Sequence, residues 1–221
     1  MEEKQKLIDE VLACTICDDL PLGPKPILQF HPDAKILIAG QAPGQVTHAK
    51  GRPFDDASGV RLRQWLGVDE ETFYNPQQFA ILPMGFCYPG KGKSGDLPPR
   101  PICAKTWQNK LLAQLKQLEL VVVIGQYALQ WHLGIKKSQT ITPVVKGWQK
   151  FQNREYDQLI DVKVDKSDKQ LLMCSVSYFP LPHPSPRNNI WLKKNPWFEA
   201  ELLPDLQKKI SEGLGLDNSL A

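Results

Sequence analysis

Long apolar runs are missing from this sequence: the longest, "ILIAG" and "LVVVIG", are strand-sized. A bilayer-spanning helix needs about 20 consecutive apolar residues, so no segment reads as one and no membrane partner is expected. The opening stretch "MEEKQKLIDEVLACTIC" starts acidic and lacks a signal peptide's basic start and apolar core, which makes a cytoplasmic location the expectation. Charge of one sign does not dominate either. A net charge of +3 permits nucleic-acid binding without demanding it, because the distribution of charge decides. No internal repeat, long linker or low-complexity segment divides the 221 residues, so one domain spanning 1–221 is expected. Neither G-x-G-x-x-G nor G-x-x-x-x-G-K-[ST] occurs, which removes the usual phosphate cradles. An even set of cysteines is also missing. Five in a chain without an export signal argue against a disulfide framework.

What is present alternates in period. "AKILIAG" (34–40), "FAILPMGF" (79–86), "ELVVVIG" (119–125) and "LLMCSVSYF" (171–179) read as buried strands, and Cys174 within the last as a core residue. Helical spacing covers 2–13, with Leu7, Ile8, Val11 and Leu12 on one face. It returns in "GVRLRQWLGV", "TWQNKLLAQLKQL", the stretch after Gly125, and "PWFEAELLPDLQKKISEGL", where prolines start or interrupt the helix. The polar stretch 149–170 reads as a loop or small hairpin. Strands alternating with helices imply an α/β fold, three layers around a central, mostly parallel four-stranded sheet. In such a sheet the ligand crevice lies beyond the carboxyl ends of the strands. Three of the four strands end there in loops of unusual composition: "GQAPGQ", "GFCYPG" and "PLPHPSP".

In the first of these, Gly40 and Gly44 bracket Pro43, offering positive φ or a close approach to the backbone. Phe54, in "GRPFDD", lies off any periodic face. His183 stands between Pro182 and Pro184, and prolines stiffen a loop. Basic residues gather at Lys91, Lys93, Arg100 and Lys105, and again at Arg187, Lys193 and Lys194. Cys14-x2-Cys17 is a local chelating pair. Cys87 and Cys103 make a second pair, separated by "YPGKGKSGDLPPRPI", too rich in Gly and Pro for regular structure. Four thiols on two loop-like segments suit a tetrahedral sulfur site, zinc or an iron–sulfur cluster.

Taken in order, Cys14 and Cys17, "GQAPG" (40–44), "GRPF" (51–54), Cys87 with Cys103, and "HPSP" (183–186) resemble the uracil-DNA glycosylase superfamily, most closely its iron–sulfur-containing family 4. The resemblance runs from about residue 10 to 210. It implies a uracil-DNA glycosylase-like fold, a [4Fe-4S] cluster of structural role on the four cysteines, DNA as partner, and a monomer. It implies Phe54 stacking on an extruded base beside Gly40, Ala42 and Pro83. His183 would stand over the base carbonyl, with Gln41 at the other catalytic position. Pro184, Ser185, Pro186 and Arg187 would enter the DNA. An enzyme of this kind must flip the base into a narrow pocket. A neutral histidine donating to the base oxygen then stabilises the departing anion, so a rigid loop at His183 is preorganisation.

The chain departs from family 4 at two positions. The acid of the first motif is Gln41 here, and Ala42 fills the place where other glycosylases carry a water-activating Asp, which leaves Asp55 or Asp56 as substitutes. The base-reading asparagine is Pro83, which has no hydrogen bond to offer, so uracil specificity does not carry over. Two functions follow as expectations: a repair glycosylase acting on uracil or another deaminated or damaged base, or a weak or inactive module of the same fold that binds DNA or damaged bases.

Overall fold

A computed structural model of the chain describes residues 2–93, 95–155 and 175–216. Its frame is the set of apolar runs. β1 (Ile36–Ala39), β2 (Phe79–Ile81) and β5 (Leu120–Ile124) are buried along their whole length, and β7 (Ser175–Leu181) after its first residue. Strands hidden on both faces leave little room for polar side chains, which is why they read as continuous apolar runs. They pair in parallel in the order β2-β1-β5-β7. A two-residue strand, β6 (Arg154–Glu155), pairs antiparallel with the start of β7. Pro180, deeper in β7, has no β6 residue opposite it, so its missing donor breaks no pairing there. At the other edge Gln29 bridges to Ile81 and its side chain donates to the carbonyls of Phe73 and Phe79, blunting the exposed edge of β2.

Alternation along the strands sends side chains to two cores. Leu37, Ala39, Val121, Val123 and Tyr178 pack with Val11 of α1 (Glu2–Leu12), with Trp107 and Leu111 of α5 (Pro101–Leu112), and with Leu129 of α6 (Gly125–Leu133). Ile36, Ile38, Val122, Ile124 and Phe179 face the other way. They meet Leu62 and Trp65 of α3 (Ala57–Leu66), Phe73 of α4 (Glu70–Phe73), and Leu206 and Ile210 of α9 (Leu203–Leu214). The result is the expected three-layer α/β/α arrangement. Shorter helices, α2 (Gln45–Lys50), α7 (Ile141–Lys146) and α8 (Asn189–Lys194), sit in the connections. No helix among the described residues is long and apolar enough to cross a membrane.

Several local expectations change. Leu12 is exposed rather than part of the buried face of α1. The helix expected over 106–118 starts at Pro101 and ends at Leu112, although Leu115 and Leu118 beyond it are still buried. The Gly- and Pro-rich stretch after Cys87 contains regular structure after all, an antiparallel hairpin of β3 (Lys91–Gly92) and β4 (Gly95–Asp96). Cys103 belongs to the first turn of α5, not to a loop. The last helix is interrupted, with a π-helical turn at Phe198–Leu202 ahead of α9 and Pro204 in the first turn of α9. Cys174 and most of the 149–170 segment lie outside the described residues. Within 149–155 the chain makes a 3-10 turn ending at Phe151 and then β6.

Candidate active site

The carboxyl ends of β1, β2 and β7 point the same way because these strands are parallel, so the loops that follow them meet. Met84 N–H donates to the Gly40 carbonyl and Gly85 N–H to that of Gln41, both at 3.0 Å, which joins the loop after β2 to the loop after β1. Between the loops lies a cavity of about 480 Å³. It is lined by Gly40, Gln41, Ala42, Pro43 and Gly44 of the loop after β1, by Phe54 and Asp56, by Pro83 after β2, and by His183, Ser185, Arg187 and Asn188 after β7. Every base-binding and catalytic position expected from sequence lines it. Of the expected DNA-contacting residues, Pro184 is buried, whereas Pro186 and Arg187 are exposed. Only the latter part of that stretch can meet a duplex.

Gly40 and Gly44 do not use positive φ. Their value is close approach: a Cβ at Gly40 would stand 3.2 Å from the Phe54 ring. Phe54 itself has φ +54, a conformation that is an outlier for a bulky residue. Its carbonyl lies 1.6 Å from where a Cβ at Gly59 would be, so Gly59 is what lets the strained turn pack on α3. Asp56 then caps α3, accepting from Gly59 N–H at 2.9 Å. The Phe54 ring is half-buried and meets Phe73 edge-on at 6.4 Å.

His183 is fixed at both ends. Ser185 N–H donates to its Nδ1 at 3.2 Å, and Asn188 Nδ2 donates to its carbonyl at 2.7 Å. Arg61, on α3, donates to the Ser185 carbonyl at 3.2 Å and ties the loop to that helix. A ring accepting at Nδ1 carries its single proton on Nε2 when neutral. That Nε2–H has no partner among the described residues. Burial lowers the imidazole pKa from its usual value; Asp56 and Asp96 work against this, and Arg187 adds to it. The neutral, Nε2-protonated ring is therefore the form held at neutral pH.

Of the two acids after Phe54, Asp55 is paired with Lys50 and Arg52 at 3.0 Å and lies off the main cavity, whereas Asp56 lines it. A third carboxylate, Asp96 on β4, also lines the cavity. Sequence reasoning misses Asp96, Asn188 and Arg61. The two asparagines of "PSPRNN" beside a proline-rich loop are the available signal for Asn188. The hairpin also redistributes charge: Lys91 and Lys93 are exposed on it, and a Cβ at Gly95 would come within 2.5 Å of Arg187 Nη1. Of the two basic clusters, the hairpin carrying Lys91 and Lys93 thus packs against Arg187 beside the cavity, while Arg100 pairs instead with Asp19.

The four cysteines line one pocket elsewhere, walled by apolar groups that include Ile16, Leu20, Phe86, Ile102 and Trp107. All four are free thiols, and Phe86 N–H donates to Cys103 Sγ at 3.3 Å. Burial pushes the Cys103 thiol up to about 12 and raises Cys17 and Cys87. Among the described residues no group of three or more His, Cys, Asp or Glu is arranged to hold a metal ion. The donor set itself, four soft sulfurs in an apolar pocket with a backbone N–H on one of them, fits a thiolate-bound centre.

A family model described as the Uracil DNA glycosylase superfamily matches residues 28–207. The match covers every cavity residue named above together with Cys87 and Cys103, and leaves Cys14 and Cys17 outside.

Proposed function

The chain belongs to the uracil DNA glycosylase superfamily, and from that premise we propose that it hydrolyses the N-glycosidic bond of an altered base flipped out of DNA. The observation that carries this reading is the imidazole of His183. Its Nδ1 is occupied by Ser185 N–H, which leaves the Nε2 proton for a ligand in a cavity that Phe54 also lines. Departure of a base leaves negative charge on its carbonyl oxygen, and a donor already in place stabilises that charge without reorganisation. Phe54 supplies the stacking face. Pro186 and Arg187, exposed beside the cavity, fill the vacated stack and meet phosphate. Gln41 orients water or the sugar from the first loop. Pro83 offers no side-chain hydrogen bond, and its carbonyl already accepts from Gln108 at 2.7 Å. The pocket therefore discriminates weakly on the edge it would read, and bases other than uracil are substrates.

Closest kinship to the iron–sulfur family 4 is part of the same reading. Cys14, Cys17, Cys87 and Cys103 would hold a [4Fe-4S] cluster, whose role is to brace the segment before β1 and the start of α5. Purified without oxygen, the protein should then be brown, with broad absorption near ~400 nm. A colourless protein with stoichiometric zinc overturns the cluster and spares the glycosylase.

The test of the activity is a panel of oligonucleotides carrying uracil, hypoxanthine, xanthine or oxidised pyrimidines, with abasic sites cleaved afterwards. Wild type should release at least one base and His183→Ala should lose most of that rate. A second reading, a binding module without turnover, is favoured by Gln41, Ala42 and Pro83, which remove the acid and the base-reading group. It requires lesion-DNA affinity that falls with salt, with no abasic product from any lesion.

A further inference from the structure

We propose that Asp96, on the hairpin β3–β4, is the carboxylate that orients the attacking water and takes its proton, replacing the acid that the loop after β1 lacks. The inference rests on the glycosylase reading above. Asp96 lines the same cavity as His183 and Phe54 although it is remote from both in sequence. Its Oδ2 lies 3.5 Å from where a Cβ at Gly44 would stand, so the carboxylate rests against the loop that carries Gln41 and Ala42 in place of an acid. It is also held. The hydroxyl of Tyr88, a residue only 3% exposed, hydrogen-bonds to it, and Lys91 stands opposite it across the hairpin.

The competing carboxylates are committed elsewhere: Asp55 to Lys50 and Arg52, and Asp56 Oδ1 to the Gly59 N–H at the start of α3. Tyr88 and Lys91 stand against Asp96, and the other titratable and charged groups of the cavity it lines are His183, Arg187 and Asp56. Its charge reaches His183, where it opposes the effect of burial. In the step, the C1′–N bond breaks and its electron pair leaves on the base, whose oxygen accepts from His183 Nε2–H. The water oxygen bonds to C1′ and its proton passes to Asp96. That proton then goes to solvent while the base takes one up, which leaves free base and an abasic sugar.

Asp96→Asn tests this, since it keeps an oxygen for Tyr88 and alters an exposed residue of a two-residue strand. Asp56→Asn is the comparator. On whichever lesion wild type excises, single-turnover excision by Asp96→Asn should fall at least about 100-fold, the scale of a general base. The affinity for lesion DNA should be kept and the acid limb of the pH–rate profile should disappear. A second readout needs no turnover. Wild type should prefer duplexes carrying a cationic pyrrolidine abasic analogue over the neutral tetrahydrofuran analogue, and Asp96→Asn should lose that preference by about 10-fold. If wild type excises and Asp96→Asn stays within about threefold, the role of Asp96 is overturned while the glycosylase reading stands. The same holds if the acid limb is lost in Asp56→Asn alone. If wild type excises nothing in the panel, the glycosylase reading itself falls and the role of Asp96 falls with it.

Discussion

Phe54 holds a backbone conformation that costs roughly 1–3 kcal/mol for a side chain of its kind, and two glycines make the arrangement possible in different ways. At Gly59 a methyl would stand 1.6 Å from the Phe54 carbonyl oxygen, which is backbone and cannot step aside. At Gly40 it would meet the tip of the ring at 3.2 Å, and a ring can tilt. Gly59→Ala should therefore cost about 2–4 kcal/mol of stability, in the range of a named backbone conflict. Gly40→Ala should cost under about 1 kcal/mol and instead weaken binding of lesion DNA by displacing the stacking face. Urea unfolding and fluorescence binding, run on both variants, separate the two, and equal stability losses would contradict the assignment. In the sequence, Phe54, Gly40 and His183 stand out because each breaks the period of its neighbourhood. Asp96 does not, because "KSGDLPP" is an ordinary polar turn until the hairpin folds it over Gly44. The residue of the first loop that it rests against is a glycine, which leaves no mark in the pattern.

Individual elements are legible where burial imposes a period and opaque where it does not. β1, β2 and β5 carry unbroken apolar runs and stand within the runs that predict them, and β7 stays legible although Ser177 and Pro180 interrupt it. The hairpin β3–β4 has two residues per strand, too few for any alternation to register. Proline density makes 97–102 look irregular, yet a proline in the first turn costs a helix nothing, and Pro101 starts α5 just ahead of Cys103. The far end of α5 misleads in the opposite way, because Leu115 and Leu118 stay buried after the helix has stopped. The element that serves function most directly is α3, which reaches across to the His183 loop through Arg61 and the Ser185 carbonyl at 3.2 Å. A charged donor on a neutral carbonyl contributes about 1.5–3 kcal/mol. Arg61→Met, which keeps the aliphatic stem, should lower the excision rate about 10-fold or more. Global stability should change by less than the worth of that bond, because the loop and not the core relaxes. Asn188→Ala, which frees the His183 carbonyl, should act in the same direction. An unchanged rate in both would mean that the loop is rigid through its prolines alone.

At the scale of the whole molecule, parallel order makes the loops after β1, β2 and β7 share one end of the sheet, so the site's location can be read before any side chain is placed. The stability of that frame toward acid is not legible, since it depends on a histidine in an amphipathic pattern. His132, on α6, is 4% exposed, and its Nε2 is buried without a hydrogen-bond partner among the described residues. It sits in the last turn of its helix, where the dipole favours a cation by about 0.3–1 kcal/mol. Burial wins by a wide margin and pushes its pKa down to about 4, from a usual value of 6.5. Folding therefore keeps the ring neutral while the unfolded chain takes up a proton, so between those values the unfolded state binds more protons and stability rises with pH. The contribution is complete above pH 6.5 and is lost as pH falls through the folded-state value. A gap of that size corresponds to about 3 kcal/mol. Burial lowers His183 as well, and that loss adds in the same direction. Urea unfolding of wild type and His132→Leu at about pH 7, 5.5 and 4.5 isolates the effect of His132, since every other titrating group is common to both. The variant should gain on wild type by about 2.5 kcal/mol over that range. A difference that stays flat with pH would mean that the imidazole becomes charged without unfolding, and that α6 opens to water more readily than its packing against the sheet allows.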